Sequence, residues 1–282
     1  MEDYRGRFAP SATGPLHLGS IFAALISYVH ARQHNGQWLI RIDDLDTARC
    51  RAEYTQSIIS CLNGFGLQAS EPIQFQSDRL ENYEEGFHKL LDQGLLYTCD
   101  CTRKALPRGP YPGACRHRIG TPLDNHLAVR IDSSEIDLKI NDLIVGHRRI
   151  EPPGDFIVKR RDGLFAYQLA CAIDEQLDRI THVIRGIDLL PSTPMQRLIT
   201  TKLNHESPHY GHFPVLVGGD GVKLSKQTFA PAVDWEHPGV TYASIARRLL
   251  LNDTPSEADN VNVWLNYFIS LDSFPEKIQQ VT

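Results

Sequence analysis

The first 42 residues constrain this chain more than any other stretch, because they spell out a strand, a tight loop, a long helix and a second strand in succession. Arg7 to Pro10 reads as the end of a first strand. Pro10, Gly14 and Pro15 shape a loop, and Leu18, Ile21, Phe22, Leu25, Ile26 and Val29 then fall at helical spacing. Gly36 is a C-terminal stop, and Trp38 to Ile42 is the next strand. The alternation continues with helical text over Ala52–Asn63, Leu80–Gln93 and Phe165–Arg179, and a strand over His182–Ile187. Ser192 reads as an N-cap with Gln196 beyond it, Phe213–Val217 as a last strand, and Thr241–Leu251 and Val261–Leu271 as closing helices. Strands separated by helices predict an α/β fold whose sheet is mainly parallel with crossover helices.

One segment breaks the rhythm. From Thr98 to Pro153 there are six prolines, a cluster of cysteines and short strand-like pieces such as Ala128–Ile131, which predicts an insertion. With 282 residues, 41% of them hydrophobic, the chain is long enough for a real core, which excludes a disordered tail or a disulfide-stapled mini-domain. No apolar run reaches the roughly 18 residues that span a bilayer, and the charged start, Met1 to Gly6, argues against a secretory leader. No membrane partner and a cytoplasmic setting are expected. Net charge is −5, so a polyanion would have to meet a patch rather than the average surface. Cys101 to Arg118 offers one, with Arg103, Lys104, Arg108, Arg116 and Arg118 and no acid, although such a run also suits a solvated loop.

Cys50, Cys61 and Cys171 stand singly and read as buried or idle thiols. Cys99, Cys101 and Cys115 cluster, which in a cytosolic chain suggests a metal rather than disulfides.

Two loops carry chemistry. The run Arg7-Phe-Ala-Pro-Ser-Ala-Thr-Gly-Pro-Leu-His-Leu-Gly19 leads from a strand into a helix N-terminus, whose free N–H groups and partial positive charge suit a phosphate. His17 can donate to phosphate there, and Gly19 leaves room for a nucleotide ring. About 200 residues later, Lys223-Leu-Ser-Lys226 places two cations and a hydroxyl on a loop, as developing phosphate charge requires.

In this order the two resemble the "HIGH" and "KMSKS" motifs of class I aminoacyl-tRNA synthetases, and the first is similar to the glutamyl/glutaminyl subgroup. Arg41-Ile-Asp-Asp-Leu-Asp46, Cys101-Thr-Arg-Lys104, Tyr167-Gln-Leu-Ala170 and Thr181-His-Val-Ile-Arg-Gly-Ile-Asp188 extend the resemblance over roughly residues 5 to 230. Only some 50 residues follow the lysine loop, too few for the anticodon-binding region of a glutamyl-tRNA synthetase. The chain is therefore similar to the family of shortened paralogues that act on queuosine in tRNA(Asp).

The resemblance implies a Rossmann-like parallel sheet, an inserted zinc-bearing α+β subdomain and a small C-terminal helical region. It divides the chain into a first nucleotide-binding half (1–97), the insertion (98–165), a second half with the lysine loop (166–230) and the helical region (231–282). It implies activation of glutamate by ATP with Mg, transfer to queuosine at the wobble position of tRNA(Asp), and a monomer whose catalytic body grips the anticodon arm. Arg7, Ser11, Asp43, Tyr167 and Arg185 are then the glutamate contacts; His17, Gly19, Lys223, Ser225 and Lys226 bind ATP, with His17 and Lys226 catalytic. Cys99, Cys101, Tyr111 and Cys115 hold one zinc, with His117 or water as alternatives to the tyrosine. Asp43 departs from the family's Glu at the position that holds the α-amino group, so its reach is shorter and Asp44 is a possible substitute. A catalytically weakened RNA-binding paralogue, and a shortened glutamyl-tRNA synthetase charging tRNA(Glu), stay open as alternatives.

Overall fold

The computed structural model describes residues 3–102, 104, 106, 109–217, 231–258, 260–272 and 274. Strands β1 (Arg5–Phe8) and β2 (Gln37–Ile42) flank helix α1 (Leu18–Gln33), and α2 (Ala52–Gly64), β3 (Gln74–Phe75), α3 (Leu80–Asp92) and β4 (Leu96–Cys99) follow. Next come β5 (Ala128–Ile131), β6 (Lys139–Asp142), β7 (Gly146–Arg149), β8 (Phe156–Lys159) and α4 (Tyr167–Leu177). The last elements are β9 (His182–Gly186), α5 (Thr193–Lys202), β10 (His209–Phe213), α6 (Pro238–Arg248) and α7 (Val261–Ser270).

Five strands form one sheet in the order β10-β9-β1-β2-β3, every pair parallel. The expected parallel α/β sheet is thus present, and its order reverses direction between β1 and β9. That reversal is a topological switch point, where the loops leaving two adjacent strands diverge and open a crevice. The intervening chain makes a three-stranded antiparallel sheet, β4-β5-β8, and a separate hairpin, β6-β7.

Alternation along the strands gives the parallel sheet two unlike faces. Trp38, Ile40, Ile42 and Ile184 join Ile21, Phe22, Leu25, Ile26 and Val29 of α1 in one apolar core, which continues into Tyr242, Ile245, Trp264 and Phe268 of α6 and α7. The α1 stripe is buried as its spacing predicts. The helix ends in a Schellman turn, with Asn35 N–H bonded to Arg32 O and Gly36 N–H to Ala31 O. Asn35, at φ +54°, rather than Gly36, takes the left-handed position. Gly36 is needed because a Cβ there would stand 2.4 Å from Tyr4.

The structure corrects three sequence expectations. The last strand ends at Phe213 rather than beginning there, because Pro214 has no N–H to continue a ladder. Ser192 precedes α5 but does not cap it; a 3₁₀ turn over Ile187–Ser192 feeds the helix directly, and the Ser192 hydroxyl accepts from Gln168 Nε2 at 3.0 Å. Helix α6 starts at Pro238, three residues before the expected Thr241, with proline in the first turn where its missing N–H costs nothing.

The opposite face of the sheet is charged. Arg41, fully buried on β2, and Arg7, buried on β1, face α4, whose Asp174 and Glu175 are also buried, as is Asp178 at its C-cap. Arg7 Nε donates to Glu175 at 2.9 Å, and Arg41 Nε lies 2.8 Å from Asp43 and 3.3 Å from Asp174. Arg79 bridges Asp174 at 2.9 Å and Asp178, while Tyr83 Oη and Gln76 Nε2 donate to Asp174 at 2.8 and 2.7 Å. Asp174 therefore answers two guanidiniums and two neutral donors at once. Replacing it strands buried charge, which costs about 3–5 kcal/mol. Asp174→Ala is expected to lose that much in urea unfolding; a loss below about 1 kcal/mol would show that the network is not structural.

Candidate active site

At the C-terminal ends of β1 and β9 lies a cavity of about 320 Å³. Arg7, Ser11, His17, Gly19, Tyr167 and Arg185 all line it, so six residues from three separate sequence segments converge. The loop after β1 is pinned to the end of β2, with Asp43 N–H donating to Pro10 O at 3.0 Å, Ala12 N–H to Asp43 O at 3.3 Å, and Ser11 in a parallel bridge with Asp43.

His17 occupies the N-cap of α1, where its Nδ1 accepts from the Ser20 N–H at 3.3 Å. An accepting Nδ1 leaves Nε2 to carry the proton of the neutral ring. The half-buried N-terminal turn of α1 and this imidazole thus form one donor-rich corner.

Arg185 is held from several sides. Its Nε donates to His212 Nε2 at 3.1 Å, Nη1 to Gln196 Oε1 at 2.8 Å, and Nη2 to Thr193 Oγ1 at 2.8 Å and Leu189 O at 3.3 Å. Its guanidinium also lies over the Tyr210 ring, 5.2 Å from the centroid. These acceptors are neutral, so they orient the charge without cancelling it. His212 is itself fixed: it is fully buried, Nδ1 lies 2.5 Å from Asp142 Oδ2, and its backbone N–H donates to Asp142 Oδ1 at 3.0 Å. Burial lowers the imidazole pKa, with Arg185 adding to the effect and Asp142 opposing it. The neutral ring gives its proton to Asp142 and its Nε2 lone pair to Arg185.

Asp43 is buried, and burial pushes its carboxyl up to about 6 although Arg41 pulls it back. Asp44 points elsewhere, accepting from Ser77 N–H at 2.8 Å and Ser77 Oγ at 2.7 Å, so it is not available in Asp43's place. Tyr167, the first residue of α4, is 39% exposed at the cavity mouth.

Lys223, Ser225 and Lys226 lie outside the described residues. The chain on either side of them does border the site: Val215 and Leu216 line the cavity, Ala232 bridges His17, and Val233 N–H donates to Leu16 O at 3.1 Å.

The sequence reading missed Asp142, Thr193, His212 and the acids of α4, and placed Gln196 only as a helix residue. Glu175 had one usable signal. It follows a helical run, Leu169 to Ile173, in which every residue is apolar and buried, so acids continuing that run need buried cations.

A second cluster lies beyond β4. The sulfurs of Cys99, Cys101 and Cys115 lie within 4.8 Å of one another, an arrangement able to hold a metal ion. The Tyr111 hydroxyl sits 3.4 Å from Cys99 Sγ and 3.8 Å from Cys101 Sγ, and accepts from Cys115 N–H at 3.0 Å. His117 is directed to the Ala114 carbonyl at 3.1 Å. Burial raises the Cys99 thiol pKa, but hydrogen bonds from Tyr111 and Arg130 outweigh it and favour the thiolate, the form that binds metal. Arg130 stacks on Tyr111 at 3.8 Å, and buried Asp155 clamps Arg116 at 2.6 and 2.9 Å, next to Cys115. Gly154, at φ +68°, pairs with Tyr111, and a Cβ there would meet its carbonyl oxygen at 2.3 Å.

Comparison with known proteins adds to this geometry. The family model described as tRNA synthetases class I (E and Q), catalytic domain, matches residues 3–109 and 116–244. A Glutamyl-Q tRNA(Asp) synthetase of Methylococcus capsulatus is 44% identical over 242 residues, covering 83% of this chain and 80% of that protein. One from Janthinobacterium is 40% identical over 269 residues, 89% of this chain and 91% of the relative. The crystal structure of a glutamate-tRNA synthetase from Elizabethkingia anophelis superposes with a TM-score of 0.75 at 23% identity, covering 94% of this chain but only 65% of the other. At that identity the match speaks to the fold alone, and the chain spans about two thirds of the larger protein. Since the synthetase model covers most of the chain, and these two relatives, at 40% identity or more, align over at least four fifths of their own length, the chain belongs to the class I tRNA synthetases of the E and Q type, in the glutamyl-Q tRNA(Asp) synthetase family.

Proposed function

We propose that this chain activates glutamate with ATP and transfers it to queuosine at the wobble position of tRNA(Asp). The observation that carries the reading is the convergence of Arg7, His17 and Arg185 on one cavity at the sheet's switch point, in a chain whose relatives bear that name. ATP lies with its phosphates against His17 and the first turn of α1, its magnesium offsetting polyphosphate charge. Lys223, Ser225 and Lys226 are its further contacts, their charge and hydroxyl suited to the developing phosphate charge. A carboxylate oxygen of glutamate attacks the α-phosphorus, and pyrophosphate leaves with the electron pair of the broken P–O bond. A queuosine hydroxyl then attacks the acyl carbon of the resulting mixed anhydride, AMP leaves, and the hydroxyl proton passes to solvent. No enzyme nucleophile is needed; the residues position groups and stabilise charge.

Arg7 receives the side-chain carboxylate, which a planar guanidinium favours over an amide, while Arg185 and Tyr167 complete the glutamate contacts and Ser11 adds a hydroxyl. Among the buried charges beneath the site, Asp43, Asp174, Glu175 and Asp178 exceed Arg7, Arg41 and Arg79 by one carboxylate, which suits an incoming ammonium group. Cys99, Cys101, Tyr111 and Cys115 hold a structural zinc that fixes the surrounding loop, consistent with thiolate chemistry and a fourth oxygen donor.

The deciding assay incubates labelled glutamate and ATP with tRNA(Asp), with and without queuosine. Label is expected only on queuosine-bearing RNA; label at the 3′ end of tRNA(Glu) would favour a shortened glutamyl-tRNA synthetase, and no activation at all a weakened paralogue. Asp43 adds a pH test. Its carboxyl titrates near 6, and only the ionised form attracts an ammonium, so glutamate affinity is expected to weaken about tenfold from pH 7 to pH 5. Asp43→Asn flattens that profile. A wild-type profile already flat over this range removes Asp43 as the amino-group anchor.

A further inference from the structure

We propose that the cationic groove between the β6–β7 hairpin and the start of β10 docks the phosphate backbone of RNA. The proposal deepens the functional reading, on which its choice of RNA as the polyanion rests. The groove has a volume of about 630 Å³, and Lys139, His147, Arg148, Arg149, Arg197 and His209 line it with no carboxylate among the lining residues. It lies apart from the cavity that holds Arg7 and Arg185.

Three features distinguish this groove from an ordinary solvated surface. First, Lys139 stands directly opposite Arg149 in the antiparallel hairpin. Like charges so placed repel one another, and among the described residues neither they nor Arg148 has a carboxylate within ion-pair distance. A bound polyanion relieves that repulsion. Second, the frame is rigid. Leu143 N–H donates to Tyr210 O at 2.9 Å, Asp142 is tied to His212, and Arg197 is braced by Asp137 at 3.0 Å and the Lys139 carbonyl at 2.6 Å. Cations on a fixed frame lose little conformational entropy on binding. Third, the chain as a whole is acidic at −5, so an approaching polyanion is steered to its concave basic surface.

The groove also lies within reach of the active cavity. Tyr210 lines it, and Arg185, which lines the cavity, packs on that same ring. From His209 to Phe213, a cavity residue, the strand advances only about 13 Å. An RNA arm held along the groove can therefore present a base at the ends of the strands.

The test combines Lys139→Ala, Arg148→Ala and Arg149→Ala in one variant. Binding of tRNA(Asp) is measured between 50 and 200 mM salt, beside glutamate-dependent ATP–pyrophosphate exchange without RNA. Each lost phosphate contact lowers the salt slope by about one. The expected result is a slope shallower by about two to three, RNA affinity reduced at least about tenfold, and exchange unchanged. Unaltered affinity and slope overturn the groove whatever the exchange shows. If wild type shows no exchange, the functional reading fails separately, and the binding comparison, with a thermal melt as folding control, still decides the groove.

Discussion

The face of the parallel sheet that meets α4 carries buried arginines, and buried carboxylates meet their charge. A guanidinium cannot shed its proton under ordinary conditions, so Arg7 and Arg41, buried on adjacent strands, demand buried carboxylates. Helix α4 supplies them in a single turn, with Asp174 and Asp178 spaced to reach Arg79 as well. Tyr167 opens that same helix, so the ion pairs of Asp174 and Glu175 about two turns on help to set its place at the cavity mouth.

Arg185 follows a different rule. Where Arg7 leans on a carboxylate, Arg185 is braced by an imidazole, an amide, a hydroxyl and a carbonyl. A charge positioned by neutral acceptors keeps its attraction for an anion, and the Asp142–His212 pair makes that bracing directional. The brace begins in the hairpin between β6 and β7, so a segment read only as part of an insertion reaches under the active cavity. The cysteine cluster is a separate feature, its neighbours Arg116 and Arg130 held by Asp155.

Much of this was legible in the sequence for a physical reason. Alternating strand and helix text requires crossovers, and crossovers require parallel strands. The helix α1 stripe and the strand over Ala128–Ile131 came from local spacing, and the residues that gather at the cavity from the family resemblance that the short motifs carry. What escaped depends on contacts distant in sequence: Glu175 meets Arg7 across 168 positions, and His212 meets Asp142 across 70. No periodicity encodes such partners. Ser192 misled for a related reason, since its side chain is taken by Gln168 on another helix. Asp44, adjacent to Asp43 in sequence, is held instead by Ser77, a partner 33 positions away.

The central claim is that buried guanidiniums at the switch point select a carboxylate-bearing amino acid for activation by ATP. Pyrophosphate exchange without RNA, run with glutamate and with glutamine, tests it most directly. Glutamate is expected to support exchange about 30- to 150-fold better, since losing a charged hydrogen-bonding partner in a buried site costs about 2–3 kcal/mol. Equal exchange with the two amino acids would contradict the account.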